Sequence, residues 1–336
     1  MSKGRNPKGQ HFLISAAARS LSLAKVLRMS DTEAETVFAR IRWASTDGEP
    51  VCPHCGVIAC YDCRRPNGAP RWRCKGCRKD FSLTSGTLFA FHKLPLRVYL
   101  AAIVIFVNEV KGKSALALSR DLDVQYKTAF VLAHKIREAM AAEVKELRLG
   151  GEGKVVEVDG AYFGGHLRPE NKKEDRKDRR LTANQNGKKQ CVVTVRERDG
   201  RTVTGVFPSE EAATGFIAER VAKGTAIHAD ESAAYNRLHA RYQMFRVNHS
   251  VEYRGEDGAC TNGAESFFAR MRRGEIGHHH RISDKYLRRY AQEAAFREDR
   301  RRNSNGEQFK AIVSLVAANA PSVDFCGYWQ RARKVA

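Results

Sequence analysis

The sequence lacks a long hydrophobic run and is short of acidic residues. Its longest apolar run, Leu100 to Val107, is far below the roughly 20 residues that span a bilayer. The apolar patch near the N-terminus is short and interrupted by Arg19, so it does not resemble a signal peptide. Only 38 aspartates and glutamates accompany 59 lysines and arginines, which gives a net charge of +21. We therefore expect a cytoplasmic protein that binds nucleic acid and not a membrane.

The nine cysteines do not form a framework spread along the chain, because six of them lie in one short segment as three C-x-x-C pairs. In a reducing compartment such clusters usually bind zinc. The outer two pairs have the spacing of a zinc ribbon with one structural Zn²⁺: Cys52, Cys55, Cys74 and Cys77. The inner pair, Cys60 and Cys63, could replace one outer pair. A redox or free-thiol cluster is the third interpretation.

The pattern of apolar and turn-forming residues divides the chain into five segments. A capping box at Ser30 and Glu33 predicts a helix over 31 to 43. The predicted segments are an N-terminal helical segment (1–50), a zinc ribbon (51–82), a helical DNA-binding region (90–150), a catalytic α/β domain (151–303) and a C-terminal tail (304–336).

The helical region contains a candidate helix-turn-helix. Residues 114 to 124 resemble its first helix and turn, and residues 125 to 140 its second helix. Gln125, Tyr126 and Lys127 would then lie where base edges are read. A plain helical hairpin explains the same periodicity, so both interpretations stay open.

After residue 151 the pattern changes to short strands rich in β-branched residues. We predict strands at 155–159, 191–195, 202–207, 225–230 and 244–247, with helices at 209–223, 231–241, 262–273 and 283–301. Three strands followed by alternating helix and strand predict a mixed α/β sheet of ribonuclease H-like order. The basic segment 166–190 is predicted to be either a loop that meets phosphate or a solvated insertion.

Three acidic residues are candidates for metal-dependent chemistry in this basic chain. Asp159 and Asp230 end predicted strands, and Glu265 opens an amphipathic helix. Such carboxylates can hold two divalent cations about 4 Å apart, which activate the attacking oxygen and stabilise the leaving oxygen of a phosphodiester reaction. The sequence therefore predicts a Mg²⁺ or Mn²⁺ site.

Each acid also has a plain structural interpretation. An aspartate at the end of a strand is often a turn former, and Glu231 is an equally acidic neighbour of Asp230. Asn262 and Glu265 together could form a helix N-cap with its reciprocal acid. After Asp159, the glycine-rich run from Gly160 to residue 165 is predicted to be a loop that lets substrate approach.

Several motifs resemble the ISXO-like insertion-sequence transposases between about residues 30 and 303. These motifs are Arg42-Trp43, Asp47-Gly-Glu-Pro-Val-Cys-Pro-His-Cys-Gly, Cys74-Lys-Gly-Cys, Phe81-Ser-Leu-Thr-Ser-Gly-Thr-Leu-Phe, Val156-Glu-Val-Asp-Gly-Ala-Tyr-Phe-Gly-Gly, Thr261-Asn-Gly-Ala-Glu-Ser-Phe-Phe and Arg273-Gly-Glu-Ile-Gly. The resemblance implies a zinc ribbon, a ribonuclease H-like core, and cleavage and joining of DNA at the inverted-repeat ends of a mobile element.

By position, the resemblance makes Asp159, Asp230 and Glu265 the catalytic acids. It also places Asn262 and His280 near the scissile strand, and His280 or Arg272 would position phosphate. Many relatives have glutamate at Gly160, histidine at Cys260 and lysine at Arg272, so this chain departs from the family pattern at three accessory positions.

We therefore expect a DDE transposase that binds its terminal inverted repeats and target DNA and acts as a homo-oligomer, most simply a dimer. One alternative is a catalytically inactive zinc-ribbon DNA-binding regulator derived from a transposase. Another is a structure-specific nuclease without strand transfer. Divalent-metal-dependent cleavage separates the first alternative from the enzyme, and joined products separate the second.

Overall fold

The computed structural model describes residues 11–66, 68–91, 93–164, 170, 172–177, 189–247, 260–279 and 281–326. The chain divides into two compact units, Met1–Glu143 with Arg300–Ala336, and Val144–Asp299. Within the described ranges, no helix is both long enough and apolar enough to cross a membrane. The predicted basic segment 166–190 lies mostly outside the described residues.

The first unit is mainly helical. Its helices are α1 (Leu23–Leu27), α2 (Asp31–Arg42), α3 (Leu96–Asn108), α4 (Ala115–Asp121) and α5 (Tyr126–Ala142), with a further helix near the C-terminus. The predicted capping box begins α2, since Ser30 and Glu33 exchange side-chain and backbone hydrogen bonds. Helix α3 is apolar around most of its circumference and is buried over most of its length, as its composition requires.

Between α2 and α3 lies a small antiparallel sheet of β1 (Cys60–Asp62), β2 (Arg71–Cys74) and β3 (Asp80–Ser82), in that spatial order. Trp72 on β2 stacks on Phe81 of β3 and meets Trp43 edge to face at 5.5 Å. These rings provide most of the apolar packing that so short a sheet can form. The cysteine knuckles described below lie before β1 and between the end of β2 and β3.

The predicted two-helix motif is present as α4 and α5. Ser114 caps α4 by accepting a hydrogen bond from the backbone N–H of Ala117. The chain then turns at Asp123, which has a left-handed φ of 51°, a conformation that aspartate tolerates better than most residues. Gln125, Tyr126 and Lys127 are exposed at the start of α5. Contact of these residues with DNA stays a prediction.

The second unit contains a five-stranded mixed sheet. Its strands are β4 (Val155–Gly164), β5 (Lys189–Glu197), β6 (Thr202–Phe207), β7 (Ala226–Asp230) and β8 (Gln243–Val247), in the spatial order β6-β5-β4-β7-β8. Strands β4, β5 and β6 pair antiparallel, whereas β7 and β8 join parallel to β4. This is the predicted ribonuclease H-like order, so the predicted fold class is confirmed.

Strand β4 extends beyond its predicted end at Asp159. Residues 160 to 164 were predicted to form a loop, but they pair with β5 from Gly160 opposite Val193 to Gly164 opposite Lys189. Buried Ala161 and Phe163 alternate with Tyr162, which is the pattern of a half-buried strand. The loop prediction was wrong because it gave more weight to the glycines than to this alternation of buried and exposed side chains.

Helices cover both faces of this sheet. They are α6 (Thr214–Arg220), α7 (Asn262–Gly274) and α8 (Asp284–Asp299). One core contains Val156, Val158 and Ile217, and the other joins Phe163 to Phe267 and further residues of α7 and α8. The helix predicted over 231 to 241 is a 3₁₀ segment, Ala233–Ala240.

The C-terminal segment predicted as a tail contains helix α9 (Asn305–Ala318). Ser304 and Glu307 form a capping box at its start, and Phe309, Ile312, Val313 and Val316 are buried. This helix packs with α2, α3 and α5 in the first unit. The chain therefore returns to the helical unit after completing the sheet.

Candidate metal centres and their positioning

Asp159 and Asp230 are neighbours on adjacent parallel strands. The pairing of β4 with β7 runs to Val158 opposite Ala229, and each aspartate is the next residue along its strand. Strand β7 ends at Asp230 while β4 continues, so Asp159 lies mid-strand at the point where its neighbour stops. Both side chains are half-buried. This sheet edge is where an open α/β sheet ordinarily offers a binding crevice.

Glu265 approaches the same place from α7. The face of β4 that carries Asp159 also carries Ala161 and Phe163, which pack against Phe267 and Phe268 of α7. Burial, with smaller contributions from the nearby carboxylates of Asp230, Glu210 and Glu265, raises the pKa of Asp159 to about 7, against a hydrogen bond from the Gly160 N–H that lowers it. The structure thus brings the three predicted acids together and adds Glu210.

The donors at this site are hard carboxylate oxygens, the ligands that Mg²⁺ and Mn²⁺ prefer. Their mutual repulsion in a partly buried place is relieved by a divalent cation. Among the described residues, the group that converges tightly enough for a single ion is formed by cysteines and not by these acids. The acids therefore fit a wider cation site better than one closed cage.

The geometry bears on two alternatives for the acids: that Glu231 replaces Asp230, and that Glu265 serves in a helix cap. Glu231 is exposed beyond the end of β7, whereas Asp230 acts on the pKa of Asp159. Thr261, not Asn262, is the N-cap of α7, and its side chain forms no capping hydrogen bond. The predicted Asn262–Glu265 capping box is therefore absent. Asp230 does form a turn hydrogen bond, since its Oδ1 accepts the Ser232 N–H.

The start of α7 is held by Glu157, a buried glutamate two residues before Asp159. Its Oε2 accepts the Ala264 N–H at 3.0 Å, and its Oε1 accepts the Arg198 Nε at 3.1 Å. Arg198 also donates to the Cys260 carbonyl and sulfur at 3.2 and 2.8 Å. The helix that carries Glu265 is therefore attached to the strand that carries Asp159.

His228 on β7 completes this network. Its Nδ1 accepts the Cys260 N–H at 3.0 Å and lies 3.1 Å from the Arg198 Nη2. Cys260, at which the chain departs from the family pattern, is thus hydrogen-bonded both to His228 on β7 and to Arg198 in the β5–β6 turn. Sequence reasoning missed this network, although a glutamate inside the apolar run of β4 was a signal that a buried polar partner exists.

Replacing Glu157 by glutamine is expected to destabilise the second unit by about 1–3 kcal/mol, because the amide cannot accept from both donors and Arg198 loses its carboxylate partner. Urea unfolding of the full chain measures this change. Glu152→Gln, at an exposed position just before β4, is the matched control. Equal unfolding midpoints for the two variants would contradict the anchoring role.

The remaining predicted residues lie on or after α7. Asn262 is its exposed first residue. Arg272 is exposed, with its guanidinium 5.9 Å from the centre of the Phe163 ring. A π-helical turn, Glu275–His279, follows α7, and His279 packs against Tyr290. His280 lies outside the described residues.

The cysteine site in the first unit is closed and compact. The sulfurs of Cys52, Cys55, Cys74 and Cys77 all lie within 4.8 Å of one another. Two knuckles form it, because the Gly56 N–H donates to the Cys52 carbonyl and the Arg78 N–H donates to the Cys74 carbonyl. Four thiolates at such distances suit tetrahedral Zn²⁺. This unit therefore carries a structural zinc site.

The structure distinguishes the outer cysteines from the inner pair. Cys60 lies opposite Cys74 on β1, and burial raises the pKa of its thiol, as does the nearby sulfur of Cys74. Cys63 is exposed beyond the end of β1. Neither belongs to the converging group, so the outer four are the ligands that this geometry favours.

Together the two units define a zinc-ribbon protein with a ribonuclease H-like α/β unit. Residues 148–299 match the family model of the ISXO2-like transposase domain, and residues 29–80 match that of the transposase zinc-ribbon domain. The chain therefore contains an ISXO2-like transposase domain preceded by a transposase zinc ribbon, as the motifs predicted. An uncharacterized protein in the transposable element ISH50 of Halobacterium salinarum is 24% identical over 298 residues, which cover 86% of this chain and 97% of that protein.

Proposed function

We propose that this protein is a DDE transposase that cleaves phosphodiesters at the ends of an insertion sequence and joins the resulting 3′ hydroxyl to target DNA. The observation that carries the proposal is the juxtaposition of Asp159 and Asp230 on neighbouring strands, with Glu265 facing them from α7. The family match supports the substrate class. The large positive charge suits a polyanionic substrate.

In this proposal Asp159, Asp230 and Glu265 hold Mg²⁺ or Mn²⁺. Such cations activate an attacking oxygen and stabilise a leaving one in phosphodiester chemistry. Other side chains position the DNA. Arg272, which is exposed, and His280 position a phosphate, and Asn262 orients the scissile strand at the start of α7.

The zinc ribbon and the α4–α5 pair are proposed to bind DNA outside the reacting site. Transposition requires two element ends at once, so we propose that two copies of the chain act together, most simply as a symmetric dimer. The ribbon, the helical unit and the sheet unit would then divide binding and chemistry among separate parts of the chain.

The test is to incubate the purified protein with a labelled terminal inverted repeat and a target plasmid, with Mg²⁺ or with EDTA. We expect Mg²⁺-dependent nicking at the element end and a joined product. Binding without any metal-dependent product would favour an inactive DNA-binding regulator. Cleavage without joined product would favour a nuclease without strand transfer.

A further inference from the structure

Glu210 lies unusually close to the strand that carries Asp159. It follows β6 and precedes α6, and no motif pointed to it. A Cβ atom built on Gly160 would lie 2.6 Å from the Glu210 Cγ and 2.7 Å from its Oε1. Glycine inside a strand often marks such a close approach. Gly160 therefore makes room for the Glu210 carboxylate next to Asp159 in sequence, on the face of β4 opposite the Asp159 side chain.

The Glu210 side chain is also linked to the second aspartate. Its Oε2 accepts the Ser232 hydroxyl at 2.9 Å, and the Ser232 N–H donates to the Asp230 Oδ1 at 3.2 Å. Glu210 precedes a short 3₁₀ turn but its side chain does not cap it. Helix capping therefore does not explain why this carboxylate turns toward the acids.

A buried hydroxyl lies against the same group of acids. Tyr235 is fully buried, and its hydroxyl has no hydrogen-bond partner within the described part of the chain. Burial raises its pKa, and the charges of Glu210, Asp159 and Asp230 raise it further. An unsatisfied buried hydroxyl is costly. The Tyr235 hydroxyl therefore marks a place where a further polar group, or a water molecule bound to such a group, fits.

The Glu210 carboxylate is half-buried and forms no ion pair within the described part of the chain. Its hydrogen-bond partner is the Ser232 hydroxyl. The Arg246 guanidinium lies beside the same serine but donates to the Ser232 carbonyl and to the Asn236 side chain. A divalent cation bound at this place would compensate the charge of Glu210.

We infer that Glu210 is a fourth carboxylate of the proposed catalytic cation site and that it binds divalent cation there together with Asp159 and Asp230, in a site wider than one closed cage. The inference rests on the proposed function, because it assigns a further ligand to the same site. Gly160 and Ser232 would be its positioning residues, one by lacking a side chain and the other by its hydroxyl bond.

The test measures Mn²⁺ binding to the zinc-loaded full chain by electron paramagnetic resonance of free Mn²⁺. Glu210→Gln keeps the shape and can still accept the Ser232 hydrogen bond. Glu211→Gln is the matched control, since the adjacent Glu211 is exposed and pairs with Arg237 on the surface. We expect Glu210→Gln to weaken Mn²⁺ binding by about tenfold or more, and Glu211→Gln to bind like wild type.

Asp159→Asn separates the possible failures. Loss of Mn²⁺ binding in Asp159→Asn with wild-type binding in Glu210→Gln overturns the role of Glu210 and leaves the proposed function standing. Unchanged binding in Asp159→Asn, or none in the wild type, counts against the cation site and therefore against both. Thermal unfolding of the metal-free protein identifies folded variants, and Glu210→Ala replaces Glu210→Gln if the latter melts early.

Discussion

Asp159→Asn is expected to abolish Mg²⁺-dependent cleavage of the inverted repeat while the protein stays folded. Asparagine keeps the shape of the side chain but removes the charge from the residue that Asp230, Glu210 and Glu265 surround. Cation stabilisation of a phosphodiester transition state amounts to several kcal/mol, so the expected loss of rate is about a thousandfold or more. Single-turnover cleavage of labelled DNA measures it.

The matched control is Asp199→Asn. Asp199 lies in the exposed turn after β5 with a left-handed φ of 56°, which asparagine also accepts. The Asp199→Asn variant should cleave DNA at the wild-type rate. Metal-free Asp159→Asn should melt no earlier than wild type, because the substitution removes repulsion from a buried group of acids. If Asp159→Asn cleaves DNA at the wild-type rate, Asp159 is not part of the catalytic site.

A second comparison decides between the adjacent acids of β7. Asp230→Asn should lose cleavage as Asp159→Asn does, whereas Glu231→Gln should retain it, because Glu231 is exposed beyond the strand end. If Glu231→Gln is the inactive variant, the assignment of the second acid is wrong.

The order of the sheet could be predicted from sequence because each strand is a local run of β-branched residues with clear ends. The length of β4 could not, since Gly160 and Gly164 are turn formers in isolation. Pairing with β5 and the packing of Phe163 on α7 decide the conformation there. Such tertiary contacts override local preference at the position where the candidate site is formed.

The candidate site was predictable only in part, for a similar reason. Asp159 and Asp230 carry a local signal, because each follows an apolar run. Glu210 has none, since its role depends on Gly160, a residue far away in sequence, and on Ser232. Glu157 had a weak signal as an acid within a buried strand. The pairing of Glu157 with Arg198 could not be predicted, because only the folded β5–β6 turn brings the arginine to β4.

Helix α9 is a different kind of omission, because its signals are local. Ser304 and Glu307 have the spacing of a capping box, and Phe309, Ile312, Val313 and Val316 repeat at helical spacing. Its existence could have been predicted. Its return to the helical unit could not, because only the buried surfaces of α2, α3 and α5 determine where it packs.

Cys74→Ser is expected to release the structural zinc and unfold β1, β2 and β3. Cys74 is fully buried, its sulfur lies 3.5 Å from that of Cys55, and it ends β2 opposite Cys60. Binding of structural zinc contributes on the order of 10 kcal/mol in small zinc domains. The ribbon sheet has only three short strands, so its own packing is too small to replace that contribution.

Two measurements on the full chain check this expectation. Elemental analysis should find about one zinc per wild-type chain and none in the variant. Trp72, which packs between Trp43 and Phe81, should become exposed to water, so tryptophan emission should shift to longer wavelength. Treatment of the wild type with a strong chelator should produce the same shift.

The inner cysteines provide the control. Cys63→Ser changes an exposed thiol outside the converging group, and Cys60→Ser changes the thiol that lies opposite Cys74. Both variants should keep zinc, because the four outer sulfurs remain. Loss of zinc from Cys60→Ser together with its retention in Cys55→Ser would mean that an inner cysteine replaces Cys55 as a ligand. The spacing of the outer pairs would then have predicted the wrong four.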